Sequence, residues 1–404
     1  MFSKLVKVSQ SIAGLVFPAV LYYLSYITPR FNKIWVIGNR LGQNYLDNPK
    51  YLYEYLNSHE KKIKAIWLTV NDQVYSYLKN RGLPVYKTYS FWGYFYSLIA
   101  KVALVSVVRR DINQFCIAGA QKITLHHGTY LKLNTIEKEK PLLERIIYPY
   151  NQEYYDYGFV TFRDEKSVNH YHINNHLDPT HILVTGYPRN DIFLSKNPPH
   201  SSLVSRLKKD LPFKHLVLYA PTFRNNFFDK EYDLFFKYGW DVQKIDNILK
   251  QHNAILLIKL HFHHKVSQKL IDSLATSHRV ILFNTDDPLE DNYILFRNTD
   301  ILITDYSSLY LDYLLLDKPV IFTPFDYEYY KSVDCSFSYN YHDVTPGPKA
   351  KNWPEIYKYL GSILNGKDLH RAQRHQIRDR FNFYRDGKSA QRVTREIKRI
   401  IGIK

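Results

Sequence analysis

Ile301-Leu302-Ile303-Thr304-Asp305-Tyr306-Ser307-Ser308 is followed by Leu309 to Asp317 and then by Lys318-Pro319-Val320-Ile321-Phe322. An apolar run is halted by a carboxylate and two hydroxyls, an amphipathic segment follows, and a second apolar run closes the unit. This order reads as strand, Ser-Ser turn, helix, strand: a parallel βαβ crossover with its turn at the carboxyl end of the first strand. Ligands of open α/β sheets bind at such ends, and serine hydroxyls beside a helix start suit a phosphate. Serine is equally a favoured helix cap. The turn alone therefore defines an anion-site candidate, not a function.

Outward from this unit the same alternation runs almost from end to end. Strand candidates before it are Ile34–Gly38, Ile63–Val70, Pro84–Lys87, Val102–Val107, Ile123–Leu125, Gly158–Phe162, His181–Val184, Leu216–Tyr219, Ile255–Leu260 and Val280–Phe283. Patterns of helical length lie between them, such as Pro49–Ser58, Asp164–Asn174, Val242–Gln251 and Leu309–Leu316. Val-, Ile- and Leu-rich runs bounded by helices indicate parallel sheets covered on both faces. The alternation breaks at Ser195–Ser202, around Asn197-Pro198-Pro199-His200, which predicts two Rossmann-like domains. The expected division is residues 1–33 as an amino-terminal segment, 34–196 as the first domain and 197–404 as the second. The closing helices from Asn352 onward are placed to cross back to the first domain.

The chain has 404 residues, enough for two domains with a sizeable core, and 45% of them are hydrophobic. Two cysteines, Cys116 and Cys335, supply neither a disulfide framework nor a zinc signature, so a reducing compartment fits. A net charge of +17 points to an anionic partner: a membrane surface, nucleic acid or a phosphorylated substrate. Residues 365–404 hold twelve Lys/Arg against four Asp/Glu. Arg385, Lys388, Arg392, Arg395 and Arg399 form one helical stripe, opposite Val393, Ile397 and Ile400. The stripe reads either as a solvated face or as a contact for anionic lipid or pyrophosphate.

No charged residue occurs from Val8 to Pro29, a length that could span a bilayer. Gly14, Pro18 and several polar residues weaken that reading, while Tyr22, Tyr23 and Tyr26 suit an interface. A membrane-surface or re-entrant anchor is preferred, a span is second, and a buried first helix is the plain alternative.

Five more segments put polar or Gly/Pro residues at strand ends: Leu125-His126-His127-Gly128-Thr129, Thr185 to Asp191, Tyr219-Ala220-Pro221-Thr222-Phe223-Arg224, Lys259-Leu260-His261, and Tyr384 to Ser389. Together they bring imidazoles, guanidinium groups and hydroxyls from both domains, as a cleft for a phosphorylated ligand needs. His127 is the side chain suited to take a proton from a hydroxyl near neutral pH, and Gly128 lets a substrate approach it. Lys259 and His261 put two cations at one strand end, which suits developing phosphate charge. The run His261, His263, His264 lacks helical zinc spacing and an acidic ligand, so no metal is assigned. Gly38–Gly42 is too sparse for a dinucleotide fingerprint, and no Walker-type lysine loop is present.

In order along the chain, these segments resemble the CDP-glycerol glycerophosphotransferases of teichoic-acid synthesis. The likeness runs from Trp35–Leu56, with Asp47-Asn48-Pro49-Lys50-Tyr51-Leu52, through the motifs above, Asp305-Tyr306-Ser307-Ser308 with Asp312, and Pro346-Gly347-Pro348, to Asp386-Gly387-Lys388-Ser389. The resemblance implies an α/β GT-B architecture: two Rossmann-like domains facing across a cleft, with an amino-terminal membrane-associating segment. It implies His127 as the base acting on the acceptor hydroxyl, with His261 beside it in catalysis. Gly128, Thr129, Arg189, Pro221, Thr222, Arg224, Lys259, Ser307, Ser308 and Asp312 become the substrate-binding set. Tyr130 departs from the smaller or turn-forming residue expected after the threonine. The implied partners are CDP-glycerol, a lipid-linked acceptor and an anionic membrane surface at the cytoplasmic face, with no nucleic acid and no cofactor. A CDP-ribitol or nucleotide-sugar transferase is the enzyme alternative. A basic binding module with a degenerate cleft is the alternative from another class.

Overall fold

The computed structural model describes residues 17–132, 141–151, 154–197, 199, 201–224, 233–261, 264–283, 287–333 and 336–403. The apolar runs all become strands, with ends shifted by a few residues. They are β1 (Phe31–Ile37), β2 (Lys64–Thr69), β3 (Val85–Lys87), β4 (Ala100–Val105), β5 (Gln121–Thr124), β6 (Tyr157–Val160) and β7 (Ile182–Val184), then β8 (His215–Tyr219), β9 (Ala254–Ile258), β10 (Val280–Leu282), β11 (Ile301–Thr304) and β12 (Val320–Phe322). The first seven form one sheet in the order β3-β2-β1-β4-β5-β6-β7, and the rest a second in the order β10-β9-β8-β11-β12. Neighbouring strands in both sheets pair in parallel. This is a mixed α/β fold of two parallel sheets.

Burial explains the continuous apolar strands. β9 is fully buried along its whole length, packed on one face against Leu216, Leu218 and Leu302 and on the other against Val217, Ile245 and Ile303. A strand covered on both faces cannot alternate polar with apolar residues, and truncating one such leucine to alanine costs ~2–5 kcal/mol. The opening unit folds as read, with Leu302 opposite Val320 and Thr304 opposite Phe322. Its helix is short: Leu309–Tyr313, then a 3-10 turn Leu314–Leu316 that ends at Asp317 in the left-handed region.

The last helix, Ser389–Ile400, crosses back onto the first sheet, as expected of the closing helices. Val393 and Ile397 are fully buried in the cluster that holds Trp35, Leu52 and Trp67. The basic stripe along and just before it is partly paired. Arg392 is buried, donating to the Thr185 carbonyl at 2.8 Å and pairing with Asp386, while Arg399 pairs with Glu396 and Arg385 with Asp379.

Of the amino-terminal segment, residues 17–27 form a helix; residues 1–16, including the start of the uncharged run at Val8, lie outside the described residues. No described helix is long and apolar enough to cross a membrane.

Candidate active site

The carboxyl ends of the two sheets face each other across a cleft of about 570 Å³. The chain leaving β5 contributes His126 to Lys132; the chains leaving β8, β9 and β11 contribute Pro221 to Phe223, His261, and Ser307 with Ser308. The structure thus brings His127, His261, Gly128, Thr129, Pro221, Thr222, Ser307 and Ser308 together, from both halves of the sequence. Lys259 lines the adjoining arm of about 500 Å³, which shares His261. His263 lies outside the described residues, and among the described residues no cluster of three His, Cys, Asp or Glu is placed to hold a metal.

His127 faces the cleft, exposed, on a turn that is tightly held. The preceding His126 is buried with φ of 53°. Its Nδ1 lies 2.7 Å from the Gly128 carbonyl and its Nε2 2.6 Å from the Tyr130 hydroxyl. A carbonyl can only accept, so Nδ1 carries the proton and Nε2 accepts from Tyr130. Asn48 grips the same turn, its amide donating to the Leu125 and His126 carbonyls at 3.0 and 2.8 Å. Tyr130, the residue that departs from expectation, is therefore part of the turn's support. A Cβ on Gly128 would meet the Ser308 hydroxyl at 3.0 Å, so the two domains approach closely at this point.

Enclosure by the cleft walls pushes the His127 imidazole down to about 4; Asp47 opposes this, and Arg189 and Arg40 add to it. The ring is thus neutral at physiological pH, the form that can accept a proton. Opposite it, Ser307 uses its hydroxyl to cap the backbone N–H of Leu309 at 3.3 Å. The Thr222 hydroxyl is buried with no hydrogen-bond partner among the described residues, although it lines the cleft. Buried hydroxyls are normally satisfied, so an orphan at this position is one that a ligand oxygen can complete.

Three residues expected to hold substrate stand behind the wall instead. Arg189, 1% exposed, donates to Asp47 at 2.5 Å, to Asp312 at 2.6 Å and to the His127 carbonyl at 2.7 Å. Asp312 in turn accepts from Asn190 at 2.9 Å and from the Tyr293 hydroxyl at 3.1 Å. Burial disfavours the Arg189 charge, but Asp312 and Asp47 more than offset it and hold the group firmly protonated. Arg224, also 1% exposed, bridges Asp305 at 2.9 Å and Asp326 at 2.8 Å. Asp305 also accepts from the Thr222 N–H at 2.7 Å, so this pair shapes the Thr222 loop. A guanidinium already saturated by carboxylates has little left for a phosphate.

Sequence reasoning passed over Asp47, Asn48 and His126 as site residues. Asp47 and Asn48 were visible within the quoted Asp47-Asn48-Pro49 motif, but their partners lie more than 70 residues away. Lys50 and Tyr51 from the same helix, Asp47–His59, reach Asp291 of the second domain at 2.5 and 2.7 Å.

A cleft between two sheets, with imidazoles and hydroxyls on its walls and a lysine in the adjoining arm, offers the donors that a phosphorylated ligand needs. The chain belongs to the CDP-Glycerol:Poly(glycerophosphate) glycerophosphotransferase family, whose model matches residues 20–399. It is similar to the teichoic acid poly(glycerol phosphate) polymerase of Bacillus spizizenii, 24% identical over 94% of this chain and 95% of that one. It is 26% identical to the protein of the same description from Staphylococcus epidermidis, over 87% of this chain and 48% of the relative, so it spans about half of that longer protein. Its fold resembles the wall teichoic acid polymerase TagF, solved as a histidine variant soaked with CDPG, with a TM-score of 0.71 and 23% identity over 99% of this chain and 97% of that one.

Proposed function

We propose that this chain transfers glycerol phosphate from CDP-glycerol to a hydroxyl of a lipid-linked acceptor and releases CMP, in teichoic-acid or related envelope-polymer synthesis. The observation that carries the reading is the convergence of His127, Thr222, Ser307, Ser308 and His261 on one cleft, in a chain of this family. His127 takes the proton of the acceptor hydroxyl as its oxygen bonds to the glycerol-bearing β-phosphorus. The bond from that phosphorus to the bridging oxygen breaks, and the oxygen leaves with CMP. Such a transfer relies on in-line positioning and charge neutralisation, supplied here by His261, Lys259 and the hydroxyls. Arg189, Arg224 and Asp312 act as positioning residues.

A lipid-linked acceptor favours work at a membrane surface, which we place at the cytoplasmic face. Phe17, Leu24 and Ile27 of the 17–27 helix are exposed, and Tyr23 ties that helix to the Ile146 carbonyl, beside exposed Leu143 and Ile146. The Phe91–Ile99 helix adds exposed Phe91, Trp92 and Phe95, and Arg30 joins its end to Ser25 through the Ser97 carbonyl. Aromatic and aliphatic side chains so arranged suit a lipid interface.

Two measurements test the reaction. CMP release should be faster from CDP-glycerol than from CDP-ribitol or a UDP-sugar; preference for either alternative overturns the donor. The acid limb of kcat/KM should fall below the ordinary histidine value of 6.5, towards 4, because the neutral base is lost only as pH drops through its lowered pKa. An acid limb at or above 6.5 contradicts the base assignment.

A further inference from the structure

The arm of the cleft that adjoins the reaction centre is lined by Arg40, Asn44 and Asn71 from the first domain and by Lys259, Asp287 and Glu290 from the second. Arg40 reaches it on an unusual backbone. Arg40, Leu41 and Gly42, just after β1, have φ of 43°, 58° and 75°, a region that side-chain-bearing residues normally avoid. The turn is braced from two neighbouring strand ends. Asp111 accepts from the Leu41 N–H at 2.8 Å while its other oxygen accepts from Ser106 and Val107 at 2.9 Å each. The Thr69 hydroxyl donates to the Gly42 carbonyl at 2.6 Å. Strain held so firmly at a strand end is what functional positions display.

The charge state of this arm differs from that of the wall behind it. Arg189 and Arg224 are each neutralised by two carboxylates. The Arg40 side chain is exposed to the cavity and makes no hydrogen bond or ion pair among the described residues. The Lys259 ammonium lies over the Phe283 ring at 5.6 Å with no hydrogen-bond acceptor among those residues, while the Glu290 carboxylate on the same arm favours its charge. Arg40 and Lys259 line the same arm, which meets the reaction centre at His261.

We propose that Arg40 is a substrate-contacting residue, its guanidinium taking pyrophosphate charge of the donor from the first domain, across from Ser307 and Ser308 of the second. Lys259 beside it neutralises the phosphate that leaves. The inference rests on the CDP-glycerol reading above. The bond formed joins the acceptor oxygen to the β-phosphorus, and the bond broken sends the bridging oxygen off with CMP. Arg40 and Lys259 keep their protons throughout. An unpaired guanidinium offers a pyrophosphate a planar fork of donors, which a lysine cannot reproduce.

The test uses the full chain and the variants Arg40→Ala, Arg40→Lys and Arg40→Gln, with an unchanged thermal melt as the check on folding. Arg40→Ala should lower kcat/KM for CDP-glycerol ~10²–10³-fold, and Arg40→Lys should recover part of it. If Arg40→Ala melts early, Arg40→Gln is read in its place. The charged and titratable groups around His127 are Asp47, Arg189, Arg40 and His126, with Lys132 and His261 on the same cleft. Removing the Arg40 charge should therefore move the acid limb of kcat/KM to higher pH in Arg40→Ala and not in Arg40→Lys. A kcat/KM within about threefold of wild type with an unmoved limb overturns the proposal. A loss confined to the acceptor KM also overturns it, by moving Arg40 to the acceptor. If wild type does not turn over CDP-glycerol, the donor reading fails separately. Calorimetric binding of CDP then decides for Arg40: at least about tenfold weakening in Arg40→Ala supports it, and equal binding overturns it.

Discussion

Replacing His127 with alanine is expected to slow turnover of CDP-glycerol by ~10²–10⁴-fold, the span typical for losing a positioned general base, while donor affinity changes little. The asymmetry follows from the geometry. The His127 turn is held through its neighbours, by the Asn48 amide on the Leu125 and His126 carbonyls and by Arg189 on the His127 carbonyl, so the imidazole can be removed without releasing the turn. The residues that would grip the donor, Thr222, Ser307, Ser308 and Lys259, belong to the other domain and remain. Steady-state kinetics with calorimetric binding of CDP-glycerol separates the two effects. A variant that loses binding in proportion to rate would make His127 a binding group instead.

Replacing Arg189 with alanine should do something different: destabilise the fold by ~3–5 kcal/mol, because Asp47 and Asp312 are left buried without their shared counter-charge. Denaturant titration reads that loss directly. Lysine should not restore the native value, since one ammonium cannot bridge two carboxylates and the His127 carbonyl as the planar fork does. Removing both carboxylates together with the arginine, as Asp47→Asn, Asp312→Asn and Arg189→Met, should recover stability relative to the single variant. A fully stable Arg189→Ala protein with a raised donor KM would return Arg189 to the substrate-binding set.

The alternation of apolar runs with helical segments was enough to locate the strands, because strands buried on both faces leave continuous Val, Ile and Leu runs that loops and amphipathic helices do not. Strand-end position then selected His127, Thr222, His261 and Ser308. What stayed hidden was how charges are shared. Nothing local to Arg189 or Arg224 announces that each is matched by two aspartates, since those partners lie 81 to 142 residues away in sequence. Arg40 drew no notice for the same reason: Gly38–Gly42 is too sparse for a dinucleotide fingerprint, and the left-handed turn at Arg40 and Leu41 depends on Asp111, which only the fold brings near.

The most direct test of the central claim is the mass of the product formed from CDP-glycerol and a lipid-linked disaccharide acceptor, with CMP measured alongside. Expected is an acceptor heavier by whole glycerol phosphate units, with one CMP released per unit and both signals falling together in His127→Ala. An acceptor of unchanged mass, or CMP released without acceptor, would contradict it.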